Sequence, residues 1–219
     1  MQKVPFNPDD LSPIANFMEF RNGLVVKADS PWKTLDDLIN YTKKNPGLRW
    51  GHSGRGTSLH IGTLYIFKKA GVQTVDIPYK GTPEILTALL GGHLDAASIP
   101  YGSTREQVRA GQVRYLTFYS DLRFNDQPTV PSVTELGFPD AAKLTALVAV
   151  YVHRNTPESI KKYLMQVSKQ IYDDPRFKKL PDIGGEDPRF GGPQFVVDSI
   201  KKAEEVAVPI IKELGLYVK

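Results

Sequence analysis

The chain of 219 residues contains no cysteine. That absence removes disulfides, thiolate nucleophiles and cysteine-ligated zinc or iron–sulfur centres, and it leaves the compartment open, because exported bacterial proteins often dispense with cysteine. No apolar run approaches the roughly 18 residues of a membrane span. The opening MQKVPFNPDD lacks the apolar stretch of a signal peptide, so an exported form would have lost its address. A dominant charge is missing too: 28 Lys and Arg stand against 24 Asp and Glu, for a net +4. The KK pairs at 43–44, 68–69, 161–162, 178–179 and 201–202 are scattered along expected helices. A nucleic-acid groove concentrates such charge, so a mixed, solvated surface is the reading and no nucleic-acid partner is expected.

Metal-ligand spacing is also absent. His52, His60, His93 and His153 fall in different elements, with no H-E-x-x-H pattern, and read as surface or packing residues; no metal and no cofactor are expected. His60 is set apart because it lies one turn into a helix beside a glycine loop. The adjacent pairs Asp9–Asp10 and Asp36–Asp37 point neighbouring carboxylates in different directions, which suits solvated caps better than acid/base catalysis.

What is present is ordinary globular composition, 41% hydrophobic and 24% charged, with a clear alternation of strand and helix. GLVVKADS (23–30) reads as a strand, and Thr34 with Asp37 as a capping pair for a helix through about Lys44. LRW leads into a glycine loop, a helix follows from about Ser58 to Ala70, and Gly71 stands at its C-terminal cap. QTVDIPY (73–79) is a strand, 81–92 a helix with Thr82 as cap and Pro83 in first position, HLDAASI (93–99) a strand, 103–110 a helix and VRYLTFYS (113–120) a strand. Strands separated by helices of this length imply a mainly parallel α/β sheet covered on both faces. After the Pro-rich stretch 126–139 the pattern changes to one long apolar strand, 143–154, and two helices starting near Pro157 and Pro193. That change suggests a second structural unit.

The stretch LRWGHSGRGTSLHIG (48–62) carries the chemistry. In a parallel α/β sheet, ligands bind where strands end and helix N-termini present unpaired N–H groups. Gly51, Gly54 and Gly56 let the backbone converge several amides there, and Thr57 or Ser58 caps the next helix and offers a hydroxyl. Such a turn holds an anion; the plainer alternative, in which the glycines only turn the chain, stays open. The spacing also matches a phosphate-binding loop, but Thr57 replaces the necessary lysine. GHSGR approaches the G-x-S-x-G elbow of a serine hydrolase with Ser53 as nucleophile. There Arg55 replaces the last glycine, and the later histidine would have to be His153. PYKG (78–81) offers Tyr79 and Lys80 as a second wall of the pocket, or a plain turn.

In combination, PIA (13–15), LVVKADSPWKTLDDLINYTKKNPG (24–47), WGHSGRGTSLHIGTLYIFKKAGV (50–72), IPYKGTPEILTALLGGHLDAA (77–97), RAGQVRYL (109–116) and PTVPSVTELGFP (128–139) resemble the substrate-binding receptors of tripartite tricarboxylate transporters, the Bug family of periplasmic binding proteins. The resemblance spans nearly the whole chain. It implies a two-domain, type II Venus-flytrap receptor in the periplasm that performs no catalysis. Its ligand would be a small organic acid, passed to the membrane components of a tripartite transporter. Carried onto this sequence, the loop match falls on Ser53, Gly54, Gly56, Thr57 and Ser58, with His60 at the family's histidine in that helix. Arg55 departs from the small or amide residue expected and reads either as a bidentate partner for an acid or as solvated. Family members carry a substantial portion before the segment seen here at 6–15. The expectation is therefore a complete second domain (22–142) and a truncated first domain (1–21 plus 143–219), with self-association through the cut. An effector-sensing domain of a regulator is the other binding module of this shape, but no helix-turn-helix accompanies it.

Overall fold

The computed structural model describes residues 7–179 and 186–215. In chain order the strands and helices are β1 (Leu11–Glu19), β2 (Asn22–Lys27), α1 (Leu35–Lys44), β3 (Leu48–His52), α2 (Ser58–Lys69), β4 (Thr74–Pro78), α3 (Thr82–Leu90), β5 (Ala96–Pro100), α4 (Arg105–Arg109), β6 (Val113–Phe118), α5 (Pro139–Ala142), β7 (Leu147–His153), α6 (Glu158–Asp173), β8 (Asp187–Gly191) and α7 (Pro193–Glu213).

Two sheets organise them. Five strands lie in the order β4-β3-β5-β2-β6. β3 runs parallel to both β4 and β5, whereas β2 runs antiparallel to β5 and β6. Four strands therefore point one way and β2 the other, so the alternation of strand and helix did forecast a mainly parallel sheet. β2 is the exception because it does not arrive from a crossover helix. It follows β1 almost directly, and β1 belongs to the other sheet, an antiparallel set in the order β7-β1-β8. The chain thus passes between the sheets at Phe20–Arg21 and returns after β6.

β2 is buried along nearly its whole length, and its side chains alternate between two cores as a period of two requires. Leu24 and Val26 join Trp50, Leu59 and Phe67 beneath α1 and α2. Val25 joins Ile85, Leu89 and Ile99 beneath α3. The Thr34–Asp37 capping box is formed, with each residue's side chain accepting from the other's backbone N–H. Gly71, just past the Ala70 cap of α2, has φ of 68°, which glycine adopts without cost. The cap of α3 is Gly81 rather than Thr82, and Thr82 is already helical.

Two strands carry no clean strand signal in the sequence. β1 contains Pro13 and β8 contains Pro188, and proline argues against an inner strand. Pro13 is tolerated at the centre of its sheet because the register with β7 shifts beside it. β7 is also shorter than its apolar pattern, starting at Leu147 rather than near 143.

Candidate functional site

The glycine loop 53–57 leaves the C-terminal end of β3, between β4 and β5, and enters α2. Gly54 and Gly56 have φ of 124° and 82°, so side chains at either position would strain the turn. Thr57 caps α2: its hydroxyl accepts from the His60 N–H at 3.3 Å and donates to the Gly54 carbonyl at 2.9 Å. Behind the cap, the Asn22 side-chain amide reaches Ser58 Oγ at 3.4 Å, tying the first residue of β2 to the first of α2. The N–H groups of Ser58 and Leu59, the first two of the helix, are not taken by the Thr57 side chain. They form the electropositive end of a 12-residue helix aimed past the strand ends.

The loop's inner side is wired differently. The Gly54 N–H donates to His52 Nδ1 at 3.2 Å and the Gly56 N–H to His60 Nδ1 at 3.1 Å. Both rings are buried, 4.3 Å apart between centroids, and packed on Trp50. Their Nε2 atoms point at one oxygen, Oδ2 of Asp76, at 3.2 and 3.5 Å, and the exposed Arg55 guanidinium reaches the same oxygen at 3.3 Å. Asp76 comes to this spot because β4 pairs with β3 in parallel register, placing it opposite Trp50.

Burial disfavours a charged imidazole and pulls His52 below its usual value despite the Asp76 hydrogen bond. His60 is pulled down to about 4, first by burial and then by the neighbouring His52. Burial pushes Asp76 upward, but the His52 hydrogen bond, the Arg55 charge and the imidazoles outweigh it and leave the carboxyl below the ordinary range.

The four histidines are therefore not four separate packing residues. Two of them converge on one aspartate, a relationship set by tertiary pairing that for His52 and Asp76 spans 24 positions. His52, Asn22 and Asp76 are the residues that sequence reasoning passed over. The spacing of a histidine at a strand end and another early in the following helix was the one available signal. His52, His60 and Asp76 are also the one described group whose atoms stand close enough to hold a metal ion. The donor chemistry does not fit one. A metal-bound imidazole ordinarily donates from its second nitrogen, and here both second nitrogens accept.

The wall expected from PYKG lies apart from this network. The Tyr79 N–H donates to the His52 carbonyl at 2.9 Å, but its ring packs in the cluster beneath α3 and lines a shallow depression with Pro83, Glu84, Thr87 and His93. The Lys80 N–H donates to Glu84 at 3.2 Å. No described hydrogen bond joins either side chain to residues 53–58. The serine-hydrolase geometry is not assembled. His153 pairs with Leu11 at the end of the three-stranded sheet remote from the Phe20 crossing, and its Nδ1 accepts from the Asn155 N–H. His52 and His60, the nearby imidazoles, are spent on glycine amides and Asp76.

A second cleft, about 580 Å³, lies elsewhere, between the two sheets, and includes Glu19, Asp121, Arg123, Asp187, Arg189 and Lys202. Its arginines are already engaged, Arg189 with Glu19 at 3.0 Å and Arg123 with Glu135 at 2.7 Å. Its lining balances four acidic against four basic side chains, and Lys143 among the latter is paired with Asp140 at 2.7 Å.

The five-stranded sheet, entered and left by two crossings, thus presents a capped helix N-terminus at its strand ends. The tripartite tricarboxylate transporter family receptor profile matches residues 1–216, and the chain belongs to that family. Family and fold are those of substrate-binding receptors, not enzymes. The UPF0065 protein in the gbd 5′ region of Cupriavidus necator is 34% identical over 221 residues, which cover 98% of this chain and 65% of that protein. The chain thus spans just under two thirds of that relative's length. Among solved structures, R. palustris Rpa4515 with adipate superposes with a TM-score of 0.78 at 23% identity, over 94% of this chain and 72% of that one. MatC (Rpa3494) of Rhodopseudomonas palustris with bound malate gives 0.73 at 24%, over 94% and 73%. These likenesses establish a periplasmic-binding-protein fold. No described helix is long and apolar enough to cross a membrane.

Proposed function

We propose that this chain is the ligand-binding part of a periplasmic receptor for a small organic acid, feeding the membrane components of a tripartite tricarboxylate-type transporter. The observation that carries the reading is the capped start of α2. Its Ser58 and Leu59 N–H groups open the helix at the end of β3, and Asn22, beside the crossing between the sheets, holds the Ser58 hydroxyl; Ser53 and Arg55 of the same loop are proposed as further ligand contacts. A helix N-terminus attracts an anion by about 0.3–1 kcal/mol when exposed and up to about 2 when partly buried. The adipate and malate held by the two solved structures support a carboxylate as the ligand class. Tyr79 and Lys80 are proposed for its outer margin, next to the end of β3 through the Tyr79 N–H bond to the His52 carbonyl.

The proposed units are 22–142 as the α/β ligand domain and 1–21 with 143–219 as the other; in support, β2 to β6 share one sheet and β1, β7 and β8 share the second. A ligand held by one unit alone keeps much of its water, so millimolar binding, about −4 kcal/mol, is expected of the 219-residue chain. The test is a titration with adipate and malate, following the loop amides by NMR, repeated with Gly54→Val and Thr57→Val. Shifts centred on 53–59 and weakened by both substitutions support the site. Shifts clustered elsewhere, or binding indifferent to both changes, reduce the loop to a turn.

A further inference from the structure

An anion of the chain itself, the Asp76 carboxylate of β4, already sits beside the loop. An amide N–H can only donate, so the bonds from Gly54 and Gly56 fix both Nδ1 atoms as acceptors, and each neutral ring must carry its proton on Nε2. Both Nε2–H groups then meet the same carboxylate oxygen, together with the guanidinium of Arg55. Two imidazole donors and one guanidinium around a carboxylate make an anion site, and Asp76 occupies it from within the chain.

We infer that Asp76 is a positioning residue for the ligand loop. It holds His52 and His60 as Nε2–H tautomers, and through their Nδ1 atoms it turns the Gly54 and Gly56 amides inward. The inference rests on the loop being the carboxylate site. Its consequence is specific: of the convergent N–H groups that the glycines supply, those of Gly54 and Gly56 shape the loop, and those at the start of α2 are left to the ligand. His60 therefore acts as a strut and does not touch the acid. Arg55, exposed and paired with Asp76, is already neutralised and adds little net charge to the site. The buried, uncharged state of the two rings agrees with this wiring, since a protonated ring could not accept from a glycine amide. The same wiring opposes a transition metal. Freeing the Nε2 lone pairs would move protons to the Nδ1 atoms, where each would face an amide N–H.

The test is a long-range ¹H–¹⁵N spectrum of the ¹⁵N-labelled chain, with adipate titrations of the native protein, Asp76→Asn and Asp76→Ala. Native His52 and His60 should both show unprotonated Nδ1. Asp76→Ala should displace the Gly54 and Gly56 amide resonances and weaken adipate binding about tenfold, the loss of roughly one hydrogen-bonded charge. Asp76→Asn keeps an acceptor oxygen and should retain both tautomers and bind within about threefold of the native chain. A native ring protonated at Nδ1 overturns the inference, as do glycine amides indifferent to Asp76→Ala or Zn²⁺ captured by the native ring nitrogens. If Asp76→Ala fails to fold, the native spectrum and Asp76→Asn still decide. Should the native chain ignore adipate while the tautomers and glycine amides respond as stated, the carboxylate reading fails and the positioning role stands.

Discussion

The Arg21 guanidinium lies 2.6 Å from the Asp126 carboxylate, at the point where the chain crosses from one sheet to the other. Its other terminal nitrogen reaches Asp187 of β8 at 3.4 Å, and the group sits 4.5 Å from the centre of the Phe124 ring. One buried side chain at the crossing therefore ties the loop after β6 to the three-stranded sheet. The contacts of Arg21 therefore bear on stability. Arg21→Ala removes a buried cation and its ring contact and leaves two half-exposed carboxylates side by side. It should cost about 2 kcal/mol, read as a lower urea midpoint. An unchanged midpoint would show that the ion pair and ring contact contribute nothing net.

Gly23 of β2 offers a sharper stability test. A Cβ built there would stand 2.5 Å from the Thr117 carbonyl oxygen and 2.7 Å from the Tyr115 ring. The oxygen belongs to the backbone of the adjoining strand and cannot swing aside. Gly23→Ala is therefore expected to destabilise by about 1–3 kcal/mol through overpacking, and chemical denaturation at constant slope checks it.

Acid should weaken the fold through His60. Its folded value of about 4 lies below the ordinary 6.5, so between those values the unfolded chain binds a proton that the folded chain refuses. Stability is full above pH 6.5 and falls as pH drops toward about 4, by up to about 3 kcal/mol. The lowered Asp76 adds in the same sense, its contribution being lost as pH falls through its folded value. Unfolding free energies of the native chain and His60→Gln across pH 4 to 7 test this: the variant should be less stable at pH 7 but show a flatter slope. An equal slope would mean that His60 is accessible to protons in the folded state.

The strand β7 presents its second edge unpaired among the described residues, and Val150 and Tyr151 upon it are exposed. The segment LVAVYVH has no proline and no acidic or basic residue besides His153, which leaves little to block pairing with another copy. On α6, Ile160 and Ile171 are likewise exposed, whereas Ile210 of α7 is buried with Ile61 and Leu144 against α2. Self-association of the 219-residue chain is expected, and Val150→Lys should reduce it in sedimentation velocity. A compact monomer at all concentrations would show that the edge is harmless as it stands.

Much of the five-stranded unit was legible because its signals are local. Thr34 and Asp37 are three residues apart, a distance that fits one helical turn, and Pro83 and Gly71 mark helix ends by properties of their own backbone. β1 and β8 were not legible: each carries a proline that lowers its apparent strand character. Only the pairing of β1 with both β7 and β8 makes them strands.

The sequence alone determined that a strand, a glycine turn and a helix would follow one another at 48–70, that Thr57 or Ser58 would cap that helix and that no cysteine chemistry was available. Backbone freedom at glycine and the reach of a hydroxyl are properties of neighbouring residues. Only the tertiary structure decided what the loop's inner amides do. The parallel pairing of β3 with β4 carries Asp76 beside Trp50, and the entry of α2 folds His60 back over His52, so that two buried rings share a carboxylate well separated from both along the chain. Hydrogen bonds reach only about 3 Å, and which distant donors come that close is settled by packing, not by spacing along the chain.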